Sequence, residues 1–221
     1  METKPKTLAL LLCAGVGSRM GTGVTKQQRM LCGRTVLFRA AAVLDAAAEI
    51  DGFLAVGREE ELGFIASELS GMKKYLGAAI GGKTRQESAK NGLDALLSRG
   101  FAFDFLAVHD AARCLLSPSA VDAVVAAAKI SGAASAVGRI SDTVKITDDA
   151  GQIYASEDRT RLYTAQTPQV FEKNLYLQAL SHAGTLGVAV TDDNSLVELL
   201  GRTVTPVVTE EENLKITTRQ D

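Results

Sequence analysis

Residues 12–28 read LCAGVGSRMGTGVTKQQ, and their types are those that handle anions. Gly15, Gly17, Gly21 and Gly23 let backbone amides approach a polyanion closely. Arg19 and Lys26 set two cations seven residues apart in the same stretch, where they could flank phosphates. A dinucleotide turn fits poorly. The third glycine position of G-x-G-x-x-G is Met20, Gly21 comes one step late, and the next helical pattern begins only near Thr35. No Walker-A sequence is present. A plain surface loop would use the same glycines, so the stretch alone leaves a phosphate cradle and a solvated loop both open.

The elements around it must place it. The 221 residues suit one large domain with an ample core. With no Trp and few other aromatics, that core must be Leu, Val, Ile and Ala. A net charge of −2 gives no sign of nucleic-acid binding by bulk charge, although local cations can still meet a phosphorylated small molecule. Cys13, Cys32 and Cys114 fit neither a disulfide framework nor a zinc set, which predicts reduced thiols in a cytoplasm. The apolar run near the N-terminus is short and meets the glycine loop at once, so it reads as a core strand and not a signal peptide. No stretch approaches the ~20 apolar residues of a membrane helix.

TLALLLC (7–13), GFLAVG (52–57), YLGAAI (75–80), FDFLAVHD (103–110) and GAASAVG (132–138) read as strands. Between them lie helical patterns. One starts at a capping Thr35 and a second is led by Glu59–Glu61. A third has Thr84 and Glu87 spaced as a capping box, and a fourth has Pro118 in its first turn after Ser117. The alternation predicts a single Rossmann-like α/β domain over residues 1–221: a mostly parallel twisted sheet with helices on both faces and right-handed crossovers. Ligands then bind at the carboxyl ends of strands. After Arg139 the pattern changes to two extended pieces about DDAG, which predicts a hairpin arm over 139–167. Helical patterns resume at EKNLYLQALSHA and DNSLVELLG.

AGVGSRMG followed by TKQQ resembles the A-G-x-G-x-R-M…P-K-Q signature of nucleotidyltransferases that join a nucleoside triphosphate to a phosphorylated sugar or polyol. GGKTRQESAKNGL, VHDAARCLL, DRTRLYTAQTPQVF, TDDNSLVE and NLKITT, in that order, narrow the resemblance to the 2-C-methyl-D-erythritol 4-phosphate cytidylyltransferase family of the non-mevalonate isoprenoid pathway, from about Thr7 to the end. The resemblance implies that CTP and methylerythritol phosphate give the cytidine diphosphate adduct and pyrophosphate. A sister group acting on ribitol 5-phosphate shares most of these blocks. A nucleotide-binding protein without turnover is a different class, against which Arg19, Lys26, Asp110 and Lys215 together argue; a nicotinamide dehydrogenase is a third.

The chemistry suits such a chain. A phosphate monoester has a second pKa near ~6, so the nucleophile is largely dianionic at neutral pH and needs no general base. Two histidines and no Ser-His-Asp arrangement fit that requirement. The task is to hold two anions together and neutralise charge as pyrophosphate leaves. By resemblance, Arg19 and Lys26 contact the triphosphate, and Ala14, Gly15 and Gly17 supply close backbone. Gly82, Arg85 and Ser88 fall in the block associated with cytosine, while Asp110 and Ala111 approach the ribose, with Asp110 also able to reach the substrate or a magnesium-bound water. On isolated sequence, Ser88 would be a helix-surface serine and Arg85 an exposed first-turn residue. Thr143, Arg159, Thr191 and Lys215 match positions that hold the acceptor or its reacting phosphate. Thr143 and Arg159 lie on the arm, which in the family crosses to a second subunit, so a homodimer with shared sites is implied. Mg²⁺ is expected on the phosphates and water, with no dedicated protein cage. Asp192 and Asp193 read as a helix N-terminus in preference to a metal pair. His109 reads as structural, and Arg113 as an aid to the loop.

Some positions depart from the family pattern. Thr25 stands where Pro is usual, and Gln28 replaces an aromatic, which puts the order of the Lys26 loop in question. Cys13 and Cys114 occupy positions usually held by Ala and Pro. Cys13, next to the nucleotide loop, is a candidate for thiol sensitivity. Relatives usually continue beyond TTRQD into a final helix.

Overall fold

The computed structural model describes residues 4–15, 25–209, 213–218 and 220–221. The chain begins with β1 (Thr7–Leu12). A 3-10 turn (Lys26–Gln28) and a minimal hairpin of β2 (Met30–Leu31) and β3 (Arg34–Thr35) lead into α1 (Val36–Ala46). Then come β4 (Gly52–Gly57), α2 (Leu62–Leu69), β5 (Tyr75–Ile80), α3 (Arg85–Ser98), β6 (Phe105–Asp110), α4 (Pro118–Ser131) and β7 (Ala133–Arg139). The arm holds β8 (Lys145–Thr147) and β9 (Ile153–Ser156). β10 (Tyr163–Glu172), α5 (Lys173–Leu186), α6 (Asp193–Leu199) and β11 (Thr205–Val208) complete the fold.

Seven strands form the main sheet in the order β11-β7-β10-β6-β1-β4-β5. All neighbours are parallel except β10, which runs antiparallel to both β6 and β7. The chain moves from β1 outward to β4 and β5, then returns to place β6 on the other side of β1. That reversal is a topological switch point, where the carboxyl ends of β1 and β6 leave a crevice.

The continuous apolar runs are explained by burial on both faces. Along β1, Ala9 and Leu11 join one core cluster while Leu8, Leu10 and Leu12 join the other, and β4 and β6 divide in the same way. α1, α2 and α4 cover the first face; α3, α5 and α6 cover the second. Each fully buried Leu or Phe contributes roughly 1.5–3 kcal/mol. α3 lies so close to the sheet that a Cβ on Gly92 would sit 2.7 Å from Val56 and 2.9 Å from Leu10.

Local signals place the helix starts. Thr35 caps α1 by accepting from the Phe38 amide at 3.0 Å, and Ser117 caps α4 ahead of Pro118. Thr84 and Glu87 form the expected capping box of α3. Three features differ from the sequence expectation. β2 and β3 are too short to carry a period, and only their Cys32-Gly33 turn, with φ of 47° and 79°, betrays the hairpin. β11 is a short edge strand that tolerates Pro206. Residues 163–167, expected in the arm, begin β10 of the main sheet, so the arm's own ladder is confined to β8 and β9.

Candidate active site

The carboxyl ends of β1, β5 and β6 open onto one cavity, lined by Ala14, Gly15, Lys26, Gly82, Arg85 and Asp110 among others. A second cavity adjoins it and shares Arg85, Asp110 and Lys215 with the first. It reaches Thr191 and the start of α6.

The backbone floor is built from tight contacts. Gly81 donates to the Gly57 carbonyl, and the Gly82 amide donates to the Ser88 hydroxyl at 3.0 Å. Ser88 is buried and in turn donates to the Thr84 carbonyl at 2.8 Å, so it ties the strand-end loop to α3 instead of sitting on a helix surface. A Cβ on Gly82 would lie 2.2 Å from the Cβ of Glu87, the capping-box residue. The capping box therefore requires glycine there.

Lys26 lines the cavity beside Gly15, where an added Cβ would be 3.8 Å from its ammonium. Its 3-10 turn does not need proline. Buried Gln27 donates to the Cys13 carbonyl at 2.6 Å, pinning the turn to the end of β1, and the Gln28 side chain accepts from the Thr25 amide at 3.4 Å.

Asp110 is the hub. Its Oδ1 accepts from Arg85 Nε at 3.1 Å and its Oδ2 from Lys215 Nζ at 2.7 Å. Burial pushes its carboxyl upward, but Arg85 and then Lys215 outweigh burial and hold it well below the usual carboxylate range. Arg85 extends a second grip, Nη1 to Asp193 Oδ2 at 2.5 Å, and these two carboxylates raise its pKa against the opposing effect of burial. Lys215 reaches Asp110 because its segment is clamped: the Ile216 amide donates to the Ala112 carbonyl and Arg113 donates to the Asn213 carbonyl at 2.7 Å. Arg113 thus holds the loop, as expected.

His109 is structural. The Asp110 amide donates to Thr167 Oγ1 at 3.0 Å, so that hydroxyl donates onward to His109 Nδ1 at 3.0 Å. Nε2–H then donates to the Arg113 carbonyl at 3.1 Å. Burial pushes its pKa down to about 4 and keeps the ring neutral.

The structure thus brings together Ala14, Gly15, Lys26, Gly82, Arg85, Ser88, Asp110 and Lys215, with Thr191 in the adjoining cavity. Gly17 and Arg19 lie outside the described residues. Ala111 is wholly buried in the core, its amide held by the Leu12 carbonyl, and Ala112 lines the cavity in its place. Thr143 and Arg159 are not at the cleft. Both are exposed on the arm, where Arg159 donates to the Ser141 carbonyl and lines a third cavity at the arm's root. Cys13 is also corrected: it is 1% exposed, its thiol donates to the Leu11 carbonyl at 3.3 Å, and burial pushes its pKa up. Cys32 is the exposed thiol. Sequence reasoning missed Asp193 as a partner of Arg85, because its burial at the start of α6 is visible only in the fold. Asp192, as expected, is that helix's cap.

Strand-end glycines and converging cations at the switch point of an α/β sheet define a nucleotide-handling protein of the transferase type. A family model described as IspD, 2-C-methyl-D-erythritol 4-phosphate cytidylyltransferase, matches residues 7–221. The chain belongs to that family, and it is a nucleotidyltransferase. It is 38% identical over 219 residues to the 2-C-methyl-D-erythritol 4-phosphate cytidylyltransferase of Pelotomaculum thermopropionicum, covering 98% of this chain and 91% of that one. It is 36% identical over 222 residues to the bifunctional enzyme IspD/IspF of Nitrobacter hamburgensis, matching all of this chain but spanning 54% of that relative. Among solved structures, the 4-diphosphocytidyl-2C-methyl-D-erythritol synthase of Anaerococcus prevotii superposes with a TM-score of 0.87 at 27% identity, over 98% of this chain and 92% of that one.

Proposed function

We propose that this chain transfers CMP from CTP to 2-C-methyl-D-erythritol 4-phosphate, giving 4-diphosphocytidyl-2-C-methyl-D-erythritol and pyrophosphate in isoprenoid precursor synthesis. The observation that carries this reading is the shared wall of the two cavities. The recess at the strand-end glycines and the recess beside Thr191 meet at Asp110, Arg85 and Lys215, so two phosphorylated molecules can be held end to end.

The recess between Gly15 and Gly82 receives the nucleotide, with the loop before α3 and the Ser88 end of its first turn facing the base. Lys26, together with Arg19, neutralises the triphosphate. Lys215 lies between the recesses and attracts the acceptor phosphate, whose dianion attacks the α-phosphorus while pyrophosphate departs towards Lys26. The chain supplies orientation and positive charge, and no proton needs removal. Among the described residues no group of three His, Cys, Asp or Glu could hold a metal. A hard cation such as Mg²⁺ would be carried on phosphates and water, as that ion prefers, with the Asp110 carboxylate able to meet its water shell. When bound, it would neutralise phosphate charge.

The arm completes the reading. Thr143 and Arg159 reach the acceptor phosphate from a second copy, in a homodimer with shared sites. Their separation from Asp110 within one chain supports this. The enzyme works in the cytoplasm on small molecules, without nucleic acid or membrane.

Pyrophosphate release with CTP, Mg²⁺ and either methylerythritol phosphate or ribitol phosphate tests the proposal, with other nucleoside triphosphates as controls. Turnover with CTP and methylerythritol phosphate alone is expected. Preference for ribitol phosphate would move the acceptor assignment, and no turnover with either would overturn the transferase reading.

A further inference from the structure

We infer that Asp193 is a positioning residue for the transfer, acting on Asp110 through Arg85; the inference rests on the transferase reading of the cleft. Asp193 is 1% exposed and lines neither cavity. Its two oxygens are divided between partners. Oδ2 accepts from Arg85 Nη1 at 2.5 Å, and Oδ1 accepts from the Tyr176 hydroxyl at 2.6 Å. Its own amide donates to Gln169 Oε1 at 2.8 Å, which fixes the residue to β10. Capping of α6 is done by Asp192, so Asp193 is not needed for that task.

Arg85 is consequently gripped on two edges, by Asp193 through Nη1 and by Asp110 through Nε. A planar guanidinium held at two nitrogens cannot rotate. The third nitrogen, Nη2, is buried without a hydrogen-bond partner, in a side chain that lines both cavities. Without Asp193, both forks of Arg85 are free to turn onto Asp110, the bidentate arrangement a guanidinium prefers with a carboxylate. That would draw Asp110 away from Lys215 and from the incoming phosphates. It would also leave two cations facing one carboxylate where the present cluster is balanced.

A structural role for Asp193 predicts something different, and kinetics with melting temperatures separate the two. The assay is pyrophosphate release with CTP, Mg²⁺ and methylerythritol phosphate, run on wild type, Asp193→Asn, Tyr176→Phe, Asp110→Asn and Asp110→Asn/Asp193→Asn. Asp193→Asn keeps the volume and the bond from Tyr176, and is expected to lower kcat about tenfold or more with KM for CTP changed less than about threefold. Tyr176→Phe loses a buried hydrogen bond but leaves the grip on Arg85, so its melting temperature falls while kcat stays within about threefold. In the Asp110→Asn background, Asp193→Asn is expected to cost less than about threefold more, because its effect passes through Asp110. A wild-type kcat in Asp193→Asn, activity losses that track melting temperature in both single variants, or additive effects with Asp110→Asn would each overturn the inference. If Asp193→Asn does not fold, Asp193→Glu moves the charge by one methylene, and an unchanged kcat there overturns it equally. An inactive wild type would instead overturn the transferase reading, and this inference with it.

Discussion

Lys215 and Arg159 are basic residues assigned to one reaction, yet the fold holds them in opposite ways. Lys215 is fixed over Asp110 by a segment clamped to Ala112 and Arg113, and Asp110 is fixed by Arg85, whose partner Asp193 stands more than a hundred residues away in sequence. Arg159 is exposed and bonds to the carbonyl of Ser141, within its own arm. The strands of that arm pair only with each other, and Ile153 and Tyr154 face solvent. The cleft is organised before any ligand arrives. The arm is organised only locally, and in the proposed dimer its surroundings come from a second copy. Preorganised charge is cheap to use when charge develops, so the cleft is built to stabilise a reaction, and completing a site is the part the proposed dimer gives to the arm.

Breaking the cleft should have the largest consequence. Lys26→Ala is expected to lower turnover by a factor on the order of 10²–10³, some 3–4 kcal/mol of barrier, judged by the loss of one preorganised donor. The circular dichroism spectrum should not change. Turnover close to wild type would remove Lys26 from its role. The arm sharpens the contrast. Mixing inactive Lys26→Ala with inactive Arg159→Ala subunits under exchange should restore about a quarter of wild-type activity, because half of the random dimers carry one intact site. No recovery, with exchange verified by mass, would mean that the arm serves its own chain or none.

Stability should divide along the same line. His109 is neutral and buried beneath the cleft, with its pKa near 4 in the folded chain against 6.5 in the unfolded one. The unfolded state binds the extra proton between these values, so stability is full above about pH 6.5 and falls as pH drops towards 4, by roughly 3 kcal/mol at most. Urea melts across that range should show the slope, and His109→Gln should flatten it; an unchanged slope would assign the effect elsewhere. Gly92→Ala presses a methyl into Leu10 and Val56, with an expected cost of roughly 1–3 kcal/mol in the same melts. On the arm, Ile153→Ala should change monomer stability by less than about 0.5 kcal/mol, and a larger loss at low protein concentration would mean that the arm supports the core.

What the sequence made legible was local. The two-faced strand at 7–13, the Thr84/Glu87 box, the Ser117-Pro118 start and the arm's DDAG turn each lie within a few residues, where propensity and capping act. The cleft's cations were legible as residue types, but their partners were not. Arg85 meets Asp193 and Asp110 only because α3, α6 and β6 converge at one end of the sheet, and Gln27 meets Cys13 only because the loop returns to the strand it left. No pattern of spacing encodes these meetings. Cys13 shows the same limit from the other side: its neighbours in sequence suggested reactivity, while its neighbours in space make it a small core residue.

β7 and β10 carry a last consequence. Arg139 and Tyr163 face each other as paired residues in the main sheet, so the segment 140–162 departs and returns at a single point. The sheet's connectivity is closed without it. The arm is thus a cassette joined to the sheet at one point, an excursion of the chain that can be exchanged while the sheet and the cleft underneath keep their framework.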